Sequence, residues 1–407
     1  MVGQAHLPGK RQLRVRGMAL LLVVTSLALI SAVVTDLMVE QQSEYQIALR
    51  QRDALKAQAL AEGGLNISGL FLTIQSAIQP YFTQFAAMGV PIPKQTIWEM
   101  LSIDSSLFGN LVSGELQTTL GIDVSEAVKK RKAEKQKIQE DHGVFIPPEG
   151  GFGSFEGAFS VSVEDEESKI SLANWTKAEN RSKVRKLVAS LFSNRHQDLL
   201  FKKVNRADLI ANIYDYIDED ELRINPYATP SDWGQPFGGS ERDQYASMKD
   251  LRPKNAYFDS LSELNLVPGF SDRHFEAFSP ALTIYGDDNK VNILSAQEPV
   301  VQALIRYCAS NDQDPNLQTQ TWVDSAAQQW MQYKSTGGGP VSPVGFMKFL
   351  KALPLSINDK MCQEILGVES KYFTLKSQAT INGVSRTLTL TTRVYKGDQK
   401  RYYFRAQ

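Results

Sequence analysis

The segment RVRGMALLLVVTSLALISAVVTDL, residues 14–37, decides the architecture of this 407-residue chain. Between Met18 and Thr35 it carries no charged side chain, and its polar interruptions are only serine and threonine. That length lies at the lower end of the roughly 17–25 residues that a helix needs to cross a bilayer, and it exceeds the roughly 7–15 apolar residues of a signal peptide. The segment therefore predicts a membrane anchor. A secretory signal cleaved near Ala28 or Ala32 is the alternative.

The chain beyond this segment is predicted to continue as the same helix. Residues 38–62 are strong helix formers without proline, and the first glycines are Gly63 and Gly64. We predict one helix over 18–63, in which the membrane span continues directly into a stalk. A signal peptide that is cleaved and removed is not expected to continue as such a long helix. A basic cluster precedes the span, and by the positive-inside rule it keeps the N-terminus in the cytoplasm and the head in the opposite compartment. The cluster consists of Lys10, Arg11, Arg14 and Arg16.

The composition excludes a strong overall field that would attract nucleic acid. The 44 basic side chains and 45 acidic ones give a net charge of −1, and the sequence reveals no exposed basic or aromatic patch. The chain has two cysteines, Cys308 and Cys362, both in the predicted head. A disulfide between them is predicted if the head lies in an oxidising compartment, and two free buried thiols are the alternative.

The periodicity of the head predicts an α+β fold. Residues 64–150 have a helical pattern, interrupted at Pro80, with a charged helix over 126–141 and a glycine-rich linker at the end. From Ala158 the pattern alternates with a period of two, and the acidic segment 164–168 predicts the turn of a β-hairpin.

A second helical block interrupts the predicted strands. Residues 171–280 have helical periodicity and are predicted to form an inserted α-helical domain, whereas 281–407 return to the α+β domain. The tail is predicted to be antiparallel sheet, with tight turns at Asn382-Gly383 and Gly397-Asp398.

Sequence motifs for catalysis are missing from the chain. It contains no H-E-x-x-H zinc motif, no G-x-S-x-G elbow and no phosphate-binding P-loop, and it has only four histidines. We therefore predict that the protein is not an enzyme.

One acidic constellation is a candidate cation site. The segment YDYIDEDELRINPY brings several acids to the end of a helical pattern, and GGSERDQY adds two more after a pair of glycines. Calcium takes about 6–8 oxygen ligands, mainly carboxylates and carbonyls of flexible loops, which suits this arrangement. From these residues alone, a solvated acidic loop is the favoured interpretation. The acids are Asp215, Asp218, Asp220, Glu221, Glu241 and Asp243.

Several of these motifs together resemble general secretion pathway protein K, the large minor pseudopilins of type II secretion systems. RVRGMALLLVV resembles a prepilin leader, and GAFSVSVEDEESKISLAN resembles the strand–turn–strand that precedes the inserted helical domain of that family. LIANIYDYIDEDE, GGSERDQY, PKNAYFDSLSELNLVPGF and VNILSAQEPVVQALI follow in the family's order. The resemblance covers roughly 14–62, 152–305 and the tail. Where the family has a second acid directly after Glu241, this chain has Arg242, followed by Asp243.

The resemblance implies a pilin-like fold and a set of partners. Cleavage by a prepilin peptidase is expected after Gly17, so that leader 1–17 is removed and Met18 becomes the N-terminus. The expected location is the inner membrane, crossed once, with the head in the periplasm. The expected partners are the major pseudopilin and other minor pseudopilins of the GspI, GspJ and GspH types. Structural Ca²⁺ is expected in the helical insertion, held by Asp218, Asp220, Glu241 and Asp243.

The fifth residue of the expected mature chain points to a position at the fibre tip. Pilin-like subunits generally carry a glutamate there, which neutralises the terminal amine of the subunit assembled ahead, and a buried carboxylate is costly without such a partner. Here the fifth residue is Leu22, and the first acid after the leader is Asp36. A subunit that starts the fibre has no amine ahead of it, so a missing acid is expected at the tip.

Two other classes of protein are open alternatives. A minor pilin of a type IV pilus or competence system, touching DNA or a surface, would need an exposed basic or aromatic patch. A bitopic membrane protein with an extracytoplasmic binding domain would keep residues 1–17.

Overall fold

The computed structural model describes the backbone of residues 11–87, 103–104, 157–246, 248, 251–336 and 341–407, with side chains from residue 18 and not over 78–87. The predicted charged helix over 126–141 lies outside these residues, as does most of the glycine-rich linker. In the described part, the helices are α1 (Arg11–Ala87), α2 (Ala178–Phe192), α3 (Arg206–Asp215), α4 (Asp272–Phe278), α5 (Glu298–Cys308), α6 (Pro315–Gln318), α7 (Gln320–Thr336), α8 (Pro343–Ala352) and α9 (Asp359–Ile365). The strands are β1 (Ile103–Asp104), β2 (Ala158–Asp165), β3 (Ile170–Ser171), β4 (Leu222–Ile224), β5 (Pro236–Ser240), β6 (Leu282–Thr283), β7 (Val291–Asn292), β8 (Leu366–Gly367), β9 (Tyr372–Ile381), β10 (Val384–Tyr395) and β11 (Asp398–Ala406).

Helix α1 is a continuous rod of 77 residues, about 115 Å long at 1.5 Å per residue. Residues 18–48 are exposed along all their sides, so the charge-free run of residues 18–35 has no protein partner in the described part of the chain. Further along, one face becomes buried at a spacing of three or four residues, which is the repeat of a helix face packed on one side. The side chains of that face are Asp53, Ala57, Ala61, Leu65, Ser68 and Leu72.

The helix does not end at Gly63 and Gly64, so the predicted boundary at residue 63 is wrong. It also continues through Pro80. Gly64 faces the sheet so closely that an added Cβ atom would lie 2.7 Å from Ser377 Oγ and 2.9 Å from the Phe159 ring. Gly64 is therefore a close-contact residue between helix and sheet, whereas an added Cβ at Gly63 would meet nothing within 4 Å.

The buried face of α1 packs on a five-stranded antiparallel sheet in the order β1-β2-β9-β10-β11. A small core fills the space between them, with Leu65 and Leu72 of the helix against Phe159, Leu375 and Leu390 of the strands. Both predicted tail hairpins are present, and the second turn lies one residue earlier than expected. The residues with positive φ are Asn382 and Gly383 in the first turn, and Lys396 and Gly397 in the second.

The predicted hairpin around residues 164–168 is wrong. A short 3-10 helix, Glu166–Ser168, follows β2 and turns the chain away from the sheet. Strand β3 then pairs in parallel with β6 instead of returning along β2, whose neighbours are β1 and β9. The alternation of the sequence predicted both strands correctly, but alternation does not distinguish an adjacent partner from a distant one.

Between β2 and β9 the chain forms a helical body with its own core. Buried apolar side chains from Ile170 to Leu366 form one cluster, so the insertion extends past the boundary predicted at residue 280. A disulfide joins Cys308 of α5 to Cys362 of α9, with 5.1 Å between their Cα atoms. The long helix, antiparallel sheet and helical insertion confirm the predicted α+β fold class.

A buried polar network lies where the sheet meets the helical body. Asp165 Oδ2 accepts hydrogen bonds from Asn292 Nδ2 at 2.9 Å, from Ser370 Oγ at 2.7 Å and from the Ser295 hydroxyl. Asp165 Oδ1 accepts from the backbone N–H of Glu167 at 2.9 Å. With four donors, this buried carboxylate is fully satisfied, and it links β2 to the helical body.

Candidate metal centre

Helix α3 and the loop after it position the first two acids of the candidate site. Asn205 caps the helix by accepting a hydrogen bond from Ala207 N at 2.8 Å. Asp215 is its last residue, and Asp218 follows one turn later with its backbone N–H bonded to Tyr214 O at 3.0 Å. The spacing of three residues places both carboxylates on the same side of the turn.

The third acid comes from the other end of a long loop. Strands β4 and β5 pair around it, and Ser240 caps the 3-10 helix Glu241–Tyr245, which begins with Glu241. Within the loop, the Trp233 ring stacks on Trp175 with centroids 5.8 Å apart. The rings of Tyr214 and Trp233 are arranged edge to face, with centroids 4.7 Å apart.

Three carboxylates converge at this point. One oxygen each of Asp215, Asp218 and Glu241 lies within 4.8 Å of the others. The three residues are 2%, 5% and 0% exposed. Asp218 Oδ1 and both carboxylate oxygens of Glu241 have no hydrogen-bond donor among the described residues. Buried polar groups without a partner are rare in folded proteins, and three in one cluster point to a missing ligand.

Burial and mutual repulsion disfavour three ionised carboxylates in this cluster. Burial raises the pKa of Asp215 to about 7. Burial, and then the neighbouring charges of Asp215 and Asp220, raise the pKa of Asp218 to about 8. Burial and the charge of Asp218 raise the pKa of Glu241 to about 9. Without a cation, the group can relieve this repulsion only by taking up protons.

The donor set fits a hard cation. It consists of carboxylate oxygens only, without histidine or cysteine, which suits Ca²⁺ better than a transition metal. Two more buried oxygens without a partner among the described residues belong to the same region, Asn255 Oδ1 and Tyr245 Oη. Asn255 is tied to the acidic loop, because its backbone N–H donates to Tyr216 O at 3.0 Å and its side-chain amide donates to Asp220 O.

The structure brings together two of the four predicted ligands. Asp218 and Glu241 join Asp215, which the sequence placed in the constellation but not in the ligand set. Asp220 is only half-buried, with its carboxylate accepting from Leu222 N at 2.8 Å, and Asp243 is exposed. The unexpected Arg242 points to the rim, where it pairs with Glu221 at 3.0 Å.

The other predicted positions lie along α1. Gly17 is within the helix. Met18 and Leu22 are 74% and 68% exposed. Helix α1 is long and apolar enough to cross a membrane, and none of its most apolar window is buried.

Sequence reasoning missed an exposed surface on the last hairpin of the sheet, here called the aromatic–basic edge. Three cations lie over the Tyr395 ring, with Lys371, Arg393 and Lys396 at 5.5, 5.3 and 5.2 Å from its centroid. The run KRYYFR in the tail was a possible signal, but the sequence analysis used the tail only to predict antiparallel sheet. All of β11 is exposed. The edge consists of Tyr395, Lys396, Lys400, Arg401, Tyr402, Tyr403, Phe404 and Arg405.

Comparison with known proteins gives a match to solved structures only. No protein-family model matches the chain, and no curated protein does. A chain from "The Crystal Structure of the GspK-GspI-GspJ complex from enterotoxigenic Escherichia coli Type 2 Secretion System" is similar to it, with 15% sequence identity and a TM-score of 0.43. The similarity covers 73% of this chain and 99% of that one.

Proposed function

We propose that this protein is a minor pseudopilin of a type II secretion system, anchored in the inner membrane by α1 with its head in the periplasm. The observation that carries the proposal is the division of α1. Its first part is an apolar helix without a partner in the described chain, and its later part packs along one face of the antiparallel sheet. A helix of this kind serves first as an anchor and then as a strut that packs with the helices of other subunits.

The proposed position is the tip of the pseudopilus, where the protein initiates fibre assembly with smaller pseudopilins of the GspI, GspJ and GspH types. Leu22 supports this position, because a subunit with no neighbour ahead needs no acid at the fifth mature position. The helical body supports it too, since a head with this additional body would be difficult to stack within a thin shaft. Export of folded proteins across the outer membrane would then depend on this subunit.

The test is the location of the protein in the fibre and the effect of Leu22→Glu. Immunogold labelling is expected at one end of isolated pseudopili, and gold spaced along the shaft would refute the tip position. Leu22→Glu is expected to leave secretion unchanged or to lower it, because it places an unpaired charge in the membrane. Retention of residues 1–17 in the membrane-extracted protein would instead favour a bitopic protein without an assembly role.

The metal centre is proposed to hold one structural Ca²⁺ through Asp215, Asp218 and Glu241. Its role is to close the loop from residue 225 to residue 240 against α3, since the ligands come from both ends of that loop. The support for this proposal is the set of buried carboxylate oxygens without donors.

A second candidate function is a minor pilin of a type IV pilus or competence system. The aromatic–basic edge favours it, because exposed rings beside cationic side chains are the combination that binds single-stranded nucleic acid. The test is binding of a fluorescent single-stranded oligonucleotide to the full chain in detergent at several salt concentrations. Salt-sensitive binding that Arg401→Gln with Phe404→Ser removes would support this function. An absence of oligonucleotide binding at low salt would exclude this second function and retain the proposed pseudopilin role.

A further inference from the structure

A cavity of about 300 Å³ lies in the helical body, at the junction of α2, α5 and the start of α3. Its lining does not include the acids of the metal centre. Four basic and two acidic side chains line the cavity. The basic residues are Lys186, Arg195, Arg206 and Arg306.

Two of these cations are neutralised within the chain. Lys186 Nζ lies 3.1 Å from Asp312 Oδ1. Arg206 pairs with Asp198, donates through Nε to Phe192 O at 2.8 Å and stacks on the Phe201 ring at 4.1 Å. Both acidic side chains that line the cavity, Asp312 and Asp198, are therefore already paired with a cation.

The other two cations, Arg195 and Arg306, have no carboxylate partner among the described residues. Arg306 Nη2 donates to Gln320 Oε1 at 2.8 Å, and Arg195 Nη2 donates to the Gln318 side chain, so each meets a neutral amide oxygen. The nearby carboxylate of Asp324 accepts from Gln302, Gln320 and His196 instead.

Arg306 is the more unusual of the pair. It is only 6% exposed, and its Nη1 atom is buried without an acceptor among the described residues. Burial lowers the pKa of Arg306 to about 10; the nearby charge of Asp324 opposes this shift, and the charge of Arg195 adds to it. A buried guanidinium with one neutral partner is costly, and the cost falls sharply when an anion binds beside it.

We propose that this cavity is a binding site for a small dianionic oxyanion, such as sulfate or hydrogen phosphate, held between Arg195 and Arg306. The two guanidinium groups without carboxylate partners match two negative charges. Their planar forks match the oxygen edges of a tetrahedral anion, which a single ammonium group does not. The cavity volume exceeds that of such an ion, so bound water or a larger group that carries the oxyanion can share the space.

The test is isothermal titration of sodium sulfate into the full chain in detergent, at constant ionic strength. We expect one saturable site, with acetate binding at least tenfold more weakly because it carries one charge. Arg306→Met should weaken sulfate binding at least tenfold, and Arg195→Gln should weaken it by a smaller factor. Arg273→Met, an exposed arginine on α4, is the matched control and should bind as the unaltered chain does.

Each outcome decides the proposal. Sulfate heats that do not saturate overturn it, and so does equal affinity for acetate and sulfate. Sulfate binding that survives in both Arg306→Met and Arg195→Gln overturns it as well. If Arg306→Met does not fold, Arg195→Gln decides alone, because that residue is exposed and its loss disturbs no core.

Discussion

Two buried acidic sites in this molecule differ in how their charges are satisfied. Asp165, at the junction of the sheet and the helical body, accepts four hydrogen bonds from within the chain. The carboxylates of Asp218 and Glu241, in the helical body, offer three buried oxygens with no donor among the described residues. Burial alone therefore does not identify a ligand site. The difference between them is the supply of donors, which makes the first site a structural junction and the second a candidate for a cation.

Removal of calcium should have the largest effect. If Ca²⁺ is present at 1,000 times its dissociation constant, it adds about 4 kcal/mol to the free energy of unfolding, and chelation should remove that amount. Differential scanning calorimetry of the full chain in detergent, with EDTA and then with added Ca²⁺ or Mg²⁺, measures it. We expect recovery with Ca²⁺ and a poor response to Mg²⁺.

Two substitutions separate the ligands from their neighbours. Asp218→Asn should abolish the response to EDTA, whereas Asp243→Asn should keep it, because Asp243 is exposed. If the unaltered chain melted identically with and without EDTA, the site of Asp218 and Glu241 would bind no calcium. It would then not differ from the Asp165 site in the way proposed.

Loss of the Asp165 carboxylate should have the next largest effect. Asp165→Ala leaves the buried Asn292 amide and the half-buried hydroxyls of Ser295 and Ser370 without their shared acceptor, at about 1–3 kcal/mol for each buried group left unsatisfied. We expect a total loss of about 3 kcal/mol, measured by denaturant unfolding, because the two hydroxyls can rotate to other partners. The response to EDTA should be unchanged. Asp288→Ala, at an exposed aspartate between β6 and β7, is the control, and a similar loss there would contradict the assignment.

Glu167 should make the junction sensitive to pH. Burial raises its pKa from 4.5 to about 7, although its carboxylate accepts from the backbone N–H groups of Lys371 and Tyr372. The folded protein thus keeps a proton that the unfolded chain releases near pH 4.5. The resulting stabilisation is complete below that pH and is lost as pH rises through about 7.

The expected size is about 2 kcal/mol between pH 5 and pH 8. Melting curves of the calcium-saturated chain over this range measure it, and Glu167→Gln should flatten the profile. A profile that is equally steep in Glu167→Gln would assign the pH dependence to other groups.

The sequence predicted the fold class because its main signals are local. The charge-free run after Gly17 and the alternation of 372–406 each report the environment of one element. The hairpin at 164–168 failed because Ile170 finds its partner, Leu282, more than 100 residues away, and no local pattern encodes that choice. The end of the helical insertion was missed for the same reason, since α5 and α9 join the core through long-range contacts.

At the candidate metal centre, the sequence predicted the two segments whose carboxylates the structure brings together, but not the same set of residues. The ligand set that the resemblance implied included Asp220 and Asp243, whereas in the structure the buried carboxylate beside Asp218 and Glu241 is that of Asp215. The spacing of Asp215 and Asp218 was a usable signal, because three residues is the repeat of one helical turn. The arginines of the anion cavity gave no signal, since Arg195 and Arg306 are far apart in the chain and meet only in the fold.

Two adjacent glycines of α1 test whether the sheet and the helical body are energetically independent, and the effect of Gly63→Ala is expected to be the smallest of all. Gly64→Ala would place a methyl group 2.7 Å from Ser377 Oγ, and such overpacking costs about 1–3 kcal/mol. Gly63→Ala meets nothing within 4 Å, so it should stabilise the helix by up to about 1 kcal/mol. Because both sites lie far along the chain from the acidic loop, neither change should alter the melting shift caused by EDTA. Scanning calorimetry with and without EDTA measures both quantities. If Gly64→Ala also reduced the melting shift caused by EDTA, the sheet and the helical body would be energetically coupled. Their two acidic sites would then have to be treated as parts of one network.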